Sequence, residues 1–213
     1  MLALLALSAH AEPTHDAMSS AQWAAVTSKN HADAGKVEIW RATVDGVECF
    51  KGTAVTDAPV AKLIDVVADV ASATRWSSAG VTEAKLLSRS GGTIEYYQYL
   101  DVPGWTMASD RFWFLRSTIE SSPDKASLRW TRLPEGGPHA AAFQEVKAAH
   151  PDAVEPTVNV GGWYFEQQAD GVHISYEICT LPGGSIPSAI QNAATKGTLP
   201  DTVGDVVREA KKR

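Results

Sequence analysis

The feature that most constrains this chain is a series of alternating apolar and polar segments between residues 37 and 181, cut repeatedly by turn residues. Val37-Glu38-Ile39-Trp40-Arg41-Ala42-Thr43-Val44 alternates, Asp45-Gly46 follows, and Val47 to Val55 returns. Asp-Gly between alternating runs is a strong hairpin signal, because both turn positions take positive φ. The pattern predicts further strands over Val81 to Ser88, Thr93 to Val102, Arg111 to Ile119, Ala126 to Leu133, Val158 to Gln168 and Val172 to Leu181. Ser90-Gly91-Gly92, Pro103-Gly104, Ser121-Ser122-Pro123-Asp124 and Asp170-Gly171 turn the chain between them. Residues 134–156 form a long connection rich in Ala, Gly and Pro, with one helical turn expected near Phe143.

Two helices interrupt and close this series. Val60, Leu63, Ile64, Val67 and Val70 recur at spacings of three and four, the mark of a helix with one buried face. Thr56 or Asp57 can cap it, with Pro59 in its first turn, and it ends before Thr74-Arg75-Trp76. Ser185 opens a long helix carrying Ile186, Ile190, Ala193, Ala194, Leu199, Val203, Val206 and Val207, with kinks expected at Gly197 and Pro200. Its last residues, Lys211-Lys212-Arg213, suit the negative end of a helix dipole. A largely antiparallel sheet with helices on one face is an α+β domain.

The formal net charge of -6 weighs against nucleic acid and against purely electrostatic docking on anionic lipid. Residues 1–11 read as a signal peptide: Leu2 to Leu7 are all Leu or Ala, and Ala9-His10-Ala11 has the small-x-small pattern of a cleavage site, although no Lys or Arg precedes the apolar run. An exported, periplasmic or secreted protein is therefore expected. Residues 12–36 read as a polar extension with a short helix over Ser20 to Ser28, and residues 37–213 as the main domain. Cys49 and Cys179 have no metal-ligand spacing; they either pair in an oxidising compartment or remain two half-buried thiols. No metal and no cofactor is expected, and the chain is expected to be a monomer.

Strand parity says what faces inward. One set comprises Ile94, Tyr96, Gln98 and Leu100; a second comprises Val172, Ile174, Tyr176, Ile178 and Thr180; a third comprises Arg111, Trp113 and Leu115, opposed to Phe112 and Phe114. These sets mix aromatics with isolated polar groups, and the chain holds 7 tryptophans. Such a mixture fits a ligand pocket, which has an apolar lining and a few placed polar groups. It fits ordinary aromatic packing in a solid core equally well. Trp130 and Trp76 join the candidate lining from a strand and from the end of the first helix, and Ile190, Ala194, Val203 and Val207 join it from the terminal helix.

Four stretches in this order resemble the START lipid-transfer domains. They are Ala61 to Trp76 leading to Val81-Thr82-Glu83-Ala84-Lys85-Leu86-Leu87; Thr93 to Leu100 followed by Ser109-Asp110-Arg111-Phe112; Gly161-Gly162-Trp163-Tyr164 with the strand ending at Thr180; and Pro182-Gly183-Gly184-Ser185-Ile186-Pro187. The resemblance covers roughly residues 37–210 and implies a helix-grip fold: a curved antiparallel sheet gripping the terminal helix, with a tunnel for a hydrophobic ligand between them. It implies a non-catalytic carrier of a lipid, sterol or similar molecule, with the loop at Pro103 to Ala108 and the terminal helix as gate, and Trp105 and Met107 placed for transient membrane contact. One departure concerns the acidic partner that relatives pair with the strand's Arg: Gln98 stands near its place, and Arg111 faces either the tunnel, needing a ligand anion, or the rim.

The wider superfamily also implies an alternative, an enzyme of the cyclase or dehydratase kind acting on an aromatic or polyketide-like substrate through Tyr96 or Tyr176. The sequence has no Gly-x-Ser-x-Gly, no His-Glu-x-x-His, no phosphate-binding Gly loop and no dinucleotide fingerprint. None of its 6 histidines is placed by parity toward the pocket. A partner-binding module with a filled interior is the third possibility.

Overall fold

A computed structural model describes residues 12–104, 108–181, 183 and 188–213, with side chains omitted for 188–195. The elements run in the order α1 (His15–Ser20), β1 (Ala24–His31), β2 (Gly35–Val44), β3 (Val47–Thr56), α2 (Val60–Ala68), α3 (Ala73–Trp76), β4 (Val81–Ser90), β5 (Thr93–Leu100), β6 (Arg111–Ser121), β7 (Lys125–Arg132), α4 (Ala140–Ala149), β8 (Val158–Gln168), β9 (Gly171–Leu181) and α5 (Ser188–Lys212). A single 3-10 turn at Val70–Ser72 joins α2 to α3. The strands form one 9-stranded antiparallel sheet in the order β1-β2-β3-β9-β8-β7-β6-β5-β4. The chain's last strand thus lies in the middle of the sheet, between β3 and β8.

Each element follows from local sequence. Asp45 and Gly46 take φ of 49° and 80° in the β2–β3 hairpin, and Gly171 takes 137° in the β8–β9 hairpin. In α2 the residues spaced by three and four, Val60, Leu63, Ile64 and Val67, are buried, joined by Val66. Pro59 itself is the N-cap of α2, and the Thr56 hydroxyl accepts from Ala58 N–H instead of capping the helix. α5 runs on through Pro200.

α2 and α5 cover the inner face. Their apolar stripes meet β3, β7 and β8 in a cluster that includes Leu63, Val67, Ile94, Tyr96, Leu115, Trp130, Trp163, Phe165, Ile174, Val203 and Val207. Gly52 lets α5 approach β3: a Cβ there would lie 3.1 Å from Leu199 and 3.4 Å from Val203. The second half of α5 is fastened by polar contacts as well. Buried Asp205 accepts from Ser78 N–H and Oγ–H at 2.5 and 2.7 Å, and pairs with Arg208. Arg213 donates to Asp65 O, Asp69 and Ser72, while Lys211 pairs with Asp57 at 2.7 Å. The basic tail therefore meets specific partners on and around α2, beyond any favourable interaction with its own helix dipole.

Three expectations are corrected. The helix read over 20–28 is instead α1 at His15–Ser20, and Ala24–His31 is the edge strand β1 paired with β2. The single turn near Phe143 is a helix, Ala140–Ala149. The helices do not all lie on one face of the sheet. α4 covers one end, where Tyr97, Tyr99, Phe112, Phe114, Leu133 and Phe143 form an apolar cluster, and α1 covers the other with Met18 over Val47, Cys49, Val160 and Cys179. Cys49 and Cys179 are joined by a disulfide. Residues 1–11 lie outside the described residues, as do Trp105, Met107 and the side chains of Ile190 and Ala194.

Candidate functional site

Among the described residues, the inner face of the sheet is fully buried at one end and partly buried at the other. Ile94, Tyr96, Leu115, Trp130, Trp163, Phe165 and Ile174 are all buried against α2 and the second half of α5. Gln98, Leu100, Trp113, Tyr176 and Ile178 belong to the same inward sets but are only partly buried. They lie toward the ends of β5 and β9 and the start of β6. Ile39, Phe50 and Leu199 form a smaller packed group against Tyr176 and Ile178 on the far side of the region.

Aromatic rings make up much of this wall. Tyr176 lies 4.4 Å from Trp163 and 5.8 Å from Trp130, ring centroid to ring centroid. Gly161 makes room for Trp130, since a Cβ there would come within 2.3 Å of its ring. Several polar groups of the wall are paired. Trp113 Nε1–H donates to Gln98 Oε1 at 3.1 Å, Trp130 Nε1–H donates to Asn159 Oδ1 at 3.0 Å, and Ser117 Oγ–H donates to the Tyr96 hydroxyl at 3.3 Å. Burial raises the Tyr96 phenol to about 12 and pushes the Tyr176 phenol up as well, so both stay protonated near neutrality.

Arg111 stands at the mouth of this region. It is 5% exposed, is the Cα partner of Leu100, and is tied to the chain after α4 through its bridge with Val154. Its guanidinium donates to the backbone carbonyls of Ser109, Asp110 and Gly183, and burial lowers its pKa. Of the residues expected at the site, Trp76, Tyr96, Trp113, Leu115, Trp130, Tyr176, Ile178, Val203 and Val207 meet in one apolar cluster, with Gln98 bonded to Trp113. Val203 and Val207 are fully buried at its sealed end. Asn159, Trp163 and Phe165 lie on the inner face too. Their signal was the alternation Asn159, Gly161, Trp163, Phe165 along β8.

The histidines have positions elsewhere. His139 and His150 bond to Glu95 and Glu83 at 2.7 and 2.8 Å beneath α4, and His173 bonds to Asp170 at 2.8 Å. A groove of about 790 Å³ on the outer face includes Trp23, Lys51, Tyr164, Glu177 and His173 in its lining. Lys51 and Glu177 stand 3.8 Å apart there, and Lys51 lies 4.5 Å from the centre of the Trp23 ring. Among the described residues no three His, Cys, Asp or Glu side chains gather as a metal site, and no helix is long and apolar enough to cross a membrane.

A nine-stranded curved sheet closed by a C-terminal helix, with aromatic rings on its inner face, is the helix-grip fold of the START-related lipid-transfer domains. A STAR-related lipid transfer protein of Xanthomonas axonopodis superposes with a TM-score of 0.69 at 22% identity, covering 89% of this chain and 98% of that one. Human StAR-related lipid transfer protein 5 gives 0.71 at 14% identity, covering 91% and 88%. An aromatase/cyclase of Streptomyces gives 0.55 at 13% identity over 78% of this chain. In sequence, an uncharacterized protein of Pseudomonas aeruginosa is 26% identical over 184 residues, 85% of each chain. No family model matches.

Proposed function

We propose that this protein carries one hydrophobic small molecule between its sheet and α5 and performs no chemistry on it. The observation that carries this reading is the division of a single sheet face. One end is closed by α2 and α5, while Gln98, Leu100, Trp113, Tyr176 and Ile178 stay partly uncovered at the other. Each methylene of a ligand buried there contributes about 0.8 kcal/mol. The lipid-transfer proteins of the same fold support the reading. The gate is the β5–β6 loop with the start of α5, while the second half of α5 stays clamped through Asp205 and Arg213. The carrier acts as a monomer with transient membrane contact, and it is exported. The leader-like residues 1–11 and the Cys49–Cys179 disulfide support export, since such bonds persist in oxidising compartments.

The likeness to an aromatase/cyclase supports a second reading, an enzyme on an aromatic substrate. Against it, Tyr96 and Tyr176 are held protonated by burial, whereas a general base works best with a pKa near the operating pH. Native and denaturing mass spectrometry of protein purified from cells with a crude lipid supply decides between carriage and a filled interior. A mass shift lost on denaturation, with an extractable lipid, is the expected result. A clean apo mass with no thermal stabilisation by any lipid of a broad panel would refute carriage.

A further inference from the structure

The outer-face groove takes no part in carriage between the sheet and α5. It lies across β3, β9 and β8, beyond the apolar cluster under α1. Lys51 is the cross-strand partner of Glu177, and Glu177 is that of Gly162. Trp23 stands over Lys51 at 4.5 Å. Tyr164 lies against Gly162, where a Cβ would come within 2.8 Å of its ring and hydroxyl. Trp23, Lys51, Glu177 and Tyr164 thus form one row across the sheet, with an aromatic ring at each end. Both rings are positioned by the chain: Trp23 Nε1–H donates to Met18 O at 3.2 Å, and Gly162 gives the Tyr164 ring a flat seat.

The chemistry of the row selects what it can hold. The groove, about 790 Å³, falls within the range of about 300–1,000 Å³ typical of small-molecule sites. Its charges cancel: Lys36, Lys51 and Lys125 stand against Glu38, Glu177 and Glu166 at 2.6, 3.8 and 3.7 Å, so no net field favours an ion. Lys51 and Glu177 are 18% and 13% exposed, and at 3.8 Å they stand farther apart than a hydrogen bond. Burial lowers the pKa of the ammonium and raises that of the carboxyl, so both have lost water without gaining a close partner in each other. A ligand hydroxyl, donor and acceptor at once, can bridge them. The Tyr164 hydroxyl forms no hydrogen bond among the described residues, and burial pushes its pKa up to about 12, which keeps it a donor. The faces of the two rings carry the negative side of the aromatic quadrupole and attract the C–H faces of a sugar. We propose that this groove is a second binding site, taking an uncharged oligosaccharide whose rings stack on Trp23 and Tyr164 and whose hydroxyls bridge Lys51 and Glu177.

The test titrates the full chain with maltotriose, cellotriose and triacetylchitotriose, neutral sugars that differ in linkage and substitution. Calorimetry gives the affinity, and amide hydrogen exchange at saturation gives the place. At least one sugar is expected to bind with a Kd below about 1 mM and to protect residues 162–166 and 173–177. Tyr164→Ala is expected to weaken that sugar at least about tenfold and to leave uptake of cis-parinaric acid by the inner face unchanged. Tyr164→Phe, which loses the hydroxyl and keeps the ring, is expected to fall between. Binding of none of the three sugars up to about 10 mM overturns the proposal and leaves the carrier reading untouched. Binding with protection confined to the inner wall, around Trp113 and Ile178, overturns it as well, as does wild-type affinity in Tyr164→Ala. The exchange map of the wild type needs no variant, so it decides even if Tyr164→Ala does not fold.

Discussion

Cys49 on β3 and Cys179 on β9 are cross-strand partners, with Cα atoms 4.3 Å apart and sulfurs bonded. The bond joins residues 130 positions apart in sequence, and both are fully buried beneath α1. A link over so long a loop restricts the unfolded chain strongly and contributes about 2–4 kcal/mol. Replacing both cysteines by alanine is expected to lower the free energy of unfolding by that amount in urea titration. An unchanged midpoint would show that the disulfide contributes nothing.

Gly161 is the contact on which the aromatic wall depends. A Cβ there would meet both the Trp130 ring and the carbonyl of Glu177 on the neighbouring strand at 2.3 Å. Gly161→Ala is expected to cost about 1–3 kcal/mol by overpacking and to shift tryptophan emission as Trp130 is displaced. Wild-type stability and emission would mean that the strands separate there at no cost.

Ile178→Trp tests the open end of the inner face. If the space is real, the larger side chain fills it. Uptake of a parinaric probe is then lost, while the unfolding midpoint stays at or above that of the wild type. A loss of about 1–3 kcal/mol with uptake retained would indicate a packed interior at this position.

Glu95 holds the N-cap of α4 on the outer face through His139 at 2.7 Å, and within the sheet it bonds Ser88 and Arg116 at 2.6 to 2.8 Å. The bond from His139, helped by Ser88 and Arg116 and opposed by burial, lowers its pKa from 4.5 to about 2. A depressed carboxylate contributes stability above its unfolded pKa and loses it on protonation. This contribution is full above about pH 4.5 and fades as pH falls toward 2. Glu95→Gln is expected to be less stable than the wild type at pH 6 and to converge with it near pH 2, as urea midpoints across pH would show. Parallel curves would refute this role.

Phe143 is the α4 residue that anchors this cover. It is 3% exposed and packs 5.4 Å from Phe112 and 5.2 Å from Phe114. Phe143→Ala is expected to cost about 3–5 kcal/mol and to expose residues 140–149 to limited proteolysis. Wild-type resistance to protease would show that α4 is held by its polar ends alone.

The strands from β2 onward, the hairpins at Asp45-Gly46 and Asp170-Gly171, and α2 were all legible, because alternation, turn chemistry and helical spacing agreed at each of them. β1 was not: Ala24–His31 is a mostly exposed edge strand with no apolar alternation to betray it. α4 was also hidden. Phe143 alone is buried on it, so no stripe stands out within an Ala-rich loop. Parity set Phe112 and Phe114 opposite Trp113 and Leu115, but nothing local showed that α4 would bury them, with Tyr97 and Tyr99, on the outer face. A strand covered on both faces loses its contrast between polar and apolar positions. Much of the inner wall followed from parity, whereas the division between a sealed and an open end depends on where α5 is fastened, through contacts such as Asp205 to Ser78 that lie 127 residues apart.

The position of β9 also sets the order of events at birth. The first three strands pair among themselves, as do β4 to β8, but the two groups share no ladder until residues 171–181 are available to insert between β3 and β8. A chain emerging from its N-terminus therefore presents two unclosed sheet edges for most of its synthesis. Non-local pairing of this kind is slow and leaves such edges open to association with other chains. Truncations that remove β9 are then expected to leave two sticky half-sheets rather than one smaller domain.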